Sequence, residues 1–287
     1  MNDINMRDQA DKLRNLARKS AVDSSFDTPC PRMIVVGGGK EGIGTSTLAV
    51  NFAMEARRQE QRVVLVDAHP TRGDVAKLCH VDHPWTLSDV LTGQCSMVEG
   101  IAPGPHGLQI LSGAQKKPLS EDLTEFTYRR FFNQLTRLND QADLIIVDIG
   151  EAASDAATYH WNAADLVCLI TTPETSSVMG TYAVIKRQLT ENQPADVRLI
   201  INHTDGKAAS DVFHRISRSC QRFLGLSLLQ GGALPTDPDF HRAMDAGPPW
   251  TDQTPTTPVQ LAIQQIVTAM IAEQNSRMVT TDMASGT

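Results

Sequence analysis

The chain alternates short, continuously apolar runs with longer stretches of helical periodicity. Met33–Val36, Arg62–Asp67 (RVVLVD), Leu108–Leu111, Asp143–Asp148 (DLIIVD), Leu166–Thr171, Val197–Ile201 and Leu228–Leu234 read as strands, most of them apolar on both faces. Between and after them, the pattern predicts helices over about Ser46–Gln59, Thr86–Leu91, Ser96–Gly100, Ser120–Gln141, Glu174–Leu189, Ala208–Leu224 and Pro258–Ala272. Such alternation predicts an α/β fold, a mostly parallel twisted sheet covered by helices on both faces. Ligands in such sheets bind at the carboxyl ends of the strands. Those ends here carry a glycine-rich turn, Asp67, Asp148, Pro173-Glu174 and Asn202.

Outside this core the pattern changes. Met6, Ala10, Leu13 and Ala17 share one face of a short polar helix, read as a separate element over residues 1–19. A Ser/Asp/Pro-rich linker over 20–31 separates it from the domain at 32–272, and the polar stretch 273–287 reads as a disordered tail. A helix this short needs a partner surface to be stable.

Composition narrows the classes. The chain has 287 residues, 41% hydrophobic and 21% charged, with a formal net charge of -7. That balance argues against non-specific nucleic-acid binding over the whole surface, and no nucleic-acid partner is expected. No apolar run approaches the ~20 residues of a membrane span. Charges throughout the first twenty residues do not fit a signal peptide. The five cysteines are scattered, with no C-x-x-C pair, and read as reduced thiols of a cytoplasmic protein. The histidines show no metal-ligand spacing, so His69, His80 and His83 read as loop residues.

Residues Val35–Thr47, VVGGGKEGIGTST, are where chemistry is expected. Glycines allow a tight turn and close backbone approach to a phosphate, and a helix N-terminus aims N–H groups at an anion. Two readings compete. Gly37-x-Gly39-x-x-Gly42, with Asp67 ending the next strand, fits a dinucleotide fingerprint and would imply a dinucleotide-dependent enzyme. Gly39, Lys40, Glu41, Gly42, Ile43, Gly44, Thr45 and Ser46 fit the phosphate loop G-x-x-x-x-G-K-[ST] except that Thr45 stands at the lysine position. Asp148 closes an apolar strand before Ile149-Gly150, and Ser46 places a hydroxyl where Mg²⁺ would sit. These two features favour the phosphate loop.

KEGIGTST resembles the KGGxGK[ST] loop of the MinD/ParA deviant-Walker ATPases, a resemblance covering about residues 31–272. VVLVDAHP resembles that family's VxxxDxD segment, DLIIVDIG its Walker B strand, and INH its adenine-side segment. LITTPETSSVMGTYAVIK, INH, FLGLSLLQGGALPTDPDFHRAM and the N-terminal DQADKLR are most similar to the flagellar-number subgroup, FlhG/FleN. The resemblance implies ATP and Mg²⁺ as ligands and a nucleotide-dependent homodimer. It makes Lys40 the signature lysine that reaches a partner's phosphates. It also implies that Gly39, Lys40, Glu41, Gly42, Ile43, Gly44, Thr45, Ser46 and Thr47 cradle the nucleotide and that Asn202 contacts adenine. Ser46, Asp67 and Asp148 take the metal side. Asp8, Gln9, Ala10, Leu13 and Arg14 would dock on an FlhF-like, signal-recognition-type GTPase, where the glutamine stimulates hydrolysis.

Three positions depart from the pattern: Glu41 replaces a glycine, Thr45 the lysine, and His69 the second acid of DxD. The first two shift the loop by two negative units beside a triphosphate. One charge at ~4 Å is worth roughly 1 to 4 kcal/mol in a polar setting. Nucleotide binding is therefore expected to be weakened or lost, and hydrolysis, which relies on positive charge and a positioned water, more so. The tail carries one basic residue, Arg277, which argues against peripheral attachment at the inner face of the plasma membrane through a basic helix.

Overall fold

Successive residues of a strand face opposite sides of a sheet, so a strand buried on both sides must be apolar at every position. The computed structural model, which describes residues 30–113, 123–191, 196–240 and 257–285, shows this directly. In β1 (Arg32–Gly38), Met33 and Val35 enter one core while Ile34 and Val36 enter the other. The chain continues through α1 (Thr45–Arg58), β2 (Val63–Asp67), α2 (Asp74–Leu78), α3 (Leu87–Thr92), α4 (Met97–Gly100), β3 (Ile101–Pro103) and β4 (Gln109–Leu111). Next come α5 (Glu125–Leu135), β5 (Leu144–Glu151), α6 (Asp155–Ala163), β6 (Leu166–Thr171) and α7 (Thr175–Glu191). Then follow β7 (Asp196–Asn202), α8 (Gly206–Leu224), β8 (Leu229–Leu234) and α9 (Pro258–Ser285).

The sheet has eight strands in the order β3-β4-β2-β5-β1-β6-β7-β8. All neighbours are parallel except the β3–β4 edge pair. One core packs α3, α5, α6, α7 and α8 on the sheet, with Trp161, Tyr128 and Phe131 among its largest members. The other packs α1, α2 and α9, through Leu48, Phe52, Val75, Ile263 and Val267. The expected mostly parallel sheet with two helical layers is the observed one.

Several elements differ from the sequence reading. The expected Ser120–Gln141 helix is only Glu125–Leu135, followed by a 3-10 turn at Thr136–Leu138. Thr124 caps it, its hydroxyl accepting the Thr127 N–H. Helices α2 and α6 and the edge strand β3 were not anticipated. The last helix runs past Ala272 to Ser285, where a disordered tail was expected. Residues 273–285 contain no glycine or proline to stop it, and the next glycine is Gly286. The expected N-terminal helix with Asp8, Gln9, Ala10, Leu13 and Arg14, and residues 20–29 of the linker, lie outside the described residues.

Candidate functional site

Strands β2, β5, β1, β6 and β7 are neighbours, so their carboxyl ends form one edge. On that edge β1 and β5 slip register after Val36: Val36 pairs with Asp148 but Gly37 with Gly150, leaving Ile149 extra. Gly37 is required there, because a Cβ would lie 2.8 Å from the Ile149 side chain.

The loop 39–44 leaves β1 and enters α1 through Gly44, which is left-handed at φ 90° and carries no side-chain cap. The first-turn N–H groups of α1 are thus left for an anion. Gly39 lies against the backbone of α7: a Cβ on it would come within 2.1 Å of the Thr181 nitrogen. Gly180 meets the Gly39 carbonyl oxygen equally closely. Thr45 is buried, and its hydroxyl and Ile43 crowd the position where Gly38 would carry a Cβ. Its short side chain ends inside the loop's base and offers no charge.

Two cations accompany the loop, each with a carboxylate. Lys40 Nζ donates to Glu174 Oε2 at 2.7 Å and to Ser176 Oγ at 3.0 Å, at the start of α7. This lysine holds the Glu174 carboxyl below its usual range. Arg72 pairs with Glu41 at 3.6 Å. Neither Arg72 nor Ser176 was singled out from the sequence.

Asp67 and Asp148 are register partners on β2 and β5 and are completely buried. Asp67 Oδ1 accepts the His69 N–H and Oδ2 the Val75 N–H, each at 3.1 Å. Asp148 Oδ1 accepts the Gly150 N–H at 3.0 Å, while Oδ2 has no hydrogen-bond partner among the described residues. Burial raises the Asp67 carboxyl well above its ordinary range, and the Asp148 charge adds to that. Burial raises Asp148 too, opposed by the Ser46 hydroxyl and the Gly150 N–H. Ser46 is therefore close to Asp148. Asp67 accepts one backbone N–H on each carboxylate oxygen, and so braces the β2–α2 turn. Among the described residues no group of three or more His, Cys, Asp or Glu side chains forms a metal cage. The donor set suits Mg²⁺, which keeps waters and takes one or two protein oxygens plus phosphate.

His69 does not project a free base. Its Nδ1 accepts the N–H groups of Thr71 (3.3 Å) and Arg72 (3.1 Å), which places the neutral ring's proton on Nε2. The ring fills the space beside Gly150, where a Cβ would lie 1.9 Å from Cδ2. Asn202 Nδ2 donates to the Ile43 carbonyl at 2.9 Å, and its Oδ1 accepts the His203 N–H. It braces the loop and also lines a small cleft with Gly44, Thr47, Leu48, Pro235, Asp237, Phe240 and Val259.

Comparison with known proteins agrees with this geometry. A family model of ParA type, described as NUBPL iron-transfer P-loop NTPase, matches residues 30–271. The antiactivator FleN of Pseudomonas aeruginosa is 25% identical over 236 residues, 82% of this chain and 84% of that one. The flagellum site-determining protein YlxH of Helicobacter pylori is 25% identical over 182 residues, 63% of this chain and 62% of its own. Among solved structures, the septum site-determining protein MinD of Pyrococcus horikoshii in complex with Mg-ADP superposes with a TM-score of 0.65 at 19% identity. That match covers 83% of this chain and 94% of the archaeal one, and it speaks for the fold. The phosphate-loop reading prevails over the dinucleotide one, and the chain belongs to the ParA/MinD family of P-loop NTPases.

Proposed function

We propose that the chain is a nucleotide-binding regulator of cellular positioning, acting on flagellum number or placement, with weakened ATP hydrolysis. Its similarity to FleN and YlxH supports the flagellar assignment. The observation that carries the nucleotide reading is the pairing of a glycine cradle with a buried, half-satisfied acid. The loop presents N–H groups at α1 with no side-chain cap, and among the described residues Asp148 Oδ2 has no hydrogen-bond partner, with Ser46 nearby. The residues fit a Mg²⁺–nucleotide on the metal and backbone sides. They fit it poorly at the lysine position, where Thr45 is neutral and buried. Bound Mg²⁺ would supply charge neutralisation for the phosphates. The chain's own part is to hold the phosphates with backbone N–H groups and to orient the metal through Ser46 and Asp148.

Weakened hydrolysis follows from Thr45 and from His69, whose Nδ1 is engaged by backbone rather than by water. Calorimetric titration with ATP and Mg²⁺ tests binding, and phosphate release tests turnover. Absence of any binding would remove the nucleotide reading.

A second reading, an ATP-switched dimer with full activity, is favoured by Lys40 alone. Its side chain is 43% exposed, and an exposed ion pair such as that with Glu174 is easily exchanged for a phosphate. Turnover abolished by Lys40→Ala would support that reading. The GTPase partner rests on the DQADKLR segment. A peptide of residues 1–19 should stimulate an FlhF-like GTPase, and Gln9→Ala should remove the effect; equal stimulation by both peptides removes the role of Gln9, and stimulation by neither removes that partner.

A further inference from the structure

The three departures at positions 41, 45 and 69 meet in one place. A lysine at position 45 would reach the β- and γ-phosphates. Thr45 cannot, being packed beneath the loop against Gly38 and Ile43. Glu41 adds a negative charge at the loop's open side, with its side chain 54% exposed. Against Glu41 lies the guanidinium of Arg72, itself 55% exposed.

His69 is what brings Arg72 there. Its own N–H is anchored on Asp67 Oδ1, and its Nδ1 accepts the Arg72 N–H. The ring is wedged beside Gly150, so the turn 69–72 has a fixed origin on the sheet edge. A carboxylate at position 69 could accept the same bonds but would add a third negative charge beside Asp67 and Asp148. The imidazole supplies the acceptor without that charge.

We propose that Arg72 supplies, within the same chain, the positive charge that position 45 lacks, binding the polyphosphate of the nucleotide. Glu41 holds the guanidinium at the loop until phosphate takes its place. An exposed pair at 3.6 Å is weak and readily exchanged. A phosphate group, by contrast, matches the planar fork of arginine and carries more charge than one carboxylate. Glu41, half in solvent, can turn outward when displaced. The inference rests on the nucleotide reading of this loop and names the residue that makes it workable.

The test is calorimetric titration of the full chain with ATP–Mg²⁺ and, separately, with adenosine. Arg72→Ala should weaken ATP by about tenfold, and Arg72→Lys less. Glu41→Gln should tighten ATP. None of the three should change adenosine binding or the melting temperature appreciably, since both side chains are exposed. ATP affinity unchanged in Arg72→Ala but lost in Lys40→Ala would overturn the inference while leaving the nucleotide reading intact. Equal losses for ATP and adenosine would overturn it too, by showing a structural role. A wild-type chain that binds no triphosphate would overturn both.

Discussion

Asp67 and Asp148 sit side by side on adjacent parallel strands, and the two carboxylates are satisfied unequally. Asp67 accepts two backbone N–H groups, whereas one oxygen of Asp148 has no hydrogen-bond partner among the described residues. Two buried like charges are costly unless something compensates them. A cation bound beside Ser46, as proposed above, would supply that compensation. Both carboxyls are raised above their unfolded values, so the folded state holds protons more tightly than the unfolded one. These groups therefore lower stability as pH rises from the ordinary carboxylate range through their raised values. At neutral pH without metal, Asp148→Asn should raise the melting temperature and flatten its fall with pH. Melting curves with and without Mg²⁺ check this, and the variant should lose any stabilisation by Mg²⁺.

His160 acts in the opposite direction. It is fully buried among Tyr128, Phe131 and Phe132, and burial lowers it to about 3. Neither ring nitrogen has a hydrogen-bond partner among the described residues. Because the unfolded imidazole binds a proton near 6.5 and the folded one does not, its contribution is present above 6.5. It is lost as pH falls towards 3, by up to about 1.4 kcal/mol per pH unit. His160→Phe, close in volume to the ring it replaces, should remove that acid sensitivity. Chemical denaturation at pH 7 and pH 5 measures it; an unchanged difference between the two would show that another group is responsible.

Gly180 lies outside every nucleotide motif, yet it should matter to nucleotide binding. A Cβ there would lie 2.1 Å from the Gly39 carbonyl oxygen, backbone against backbone. Gly180→Ala must push the loop from α7, with a cost of about 1–3 kcal/mol by analogy with overpacked cores. It should weaken ATP binding, as Gly39→Ala should. Gly42→Ala provides a contrast, since a Cβ there meets nothing and only its positive φ is strained. Parallel titrations of the three variants compare the effects.

Much of this architecture is legible in the sequence for a simple reason. Strands buried on both faces must be continuous apolar runs, and the run before each acid is such a strand. The glycine loop is legible because its neighbours Ser46 and Asp148 are required by the same chemistry. Helix α6 was not legible: it is nine residues long, and its core side includes His160 as well as Trp161. Strand β3 has three residues and no periodicity to show. Arg72, Ser176 and Gly180 reach the site from a turn and a helix, and Lys40 and Glu174 are 134 positions apart. Contacts of that range depend on the register of the sheet, which no local pattern encodes. The resemblance implies an adenine contact for Asn202, and its bond to the Ile43 carbonyl gives it a part in holding the loop.

A nucleotide-binding site held back by the missing lysine should recover when that lysine is restored. Thr45→Lys restores it, and ATP affinity and phosphate release are measured beside the wild type under the same Mg²⁺ concentration. The wild type should bind ATP detectably, and Thr45→Lys should bind it about tenfold more tightly and turn it over faster. Equal affinity and equal turnover in the two proteins would contradict it.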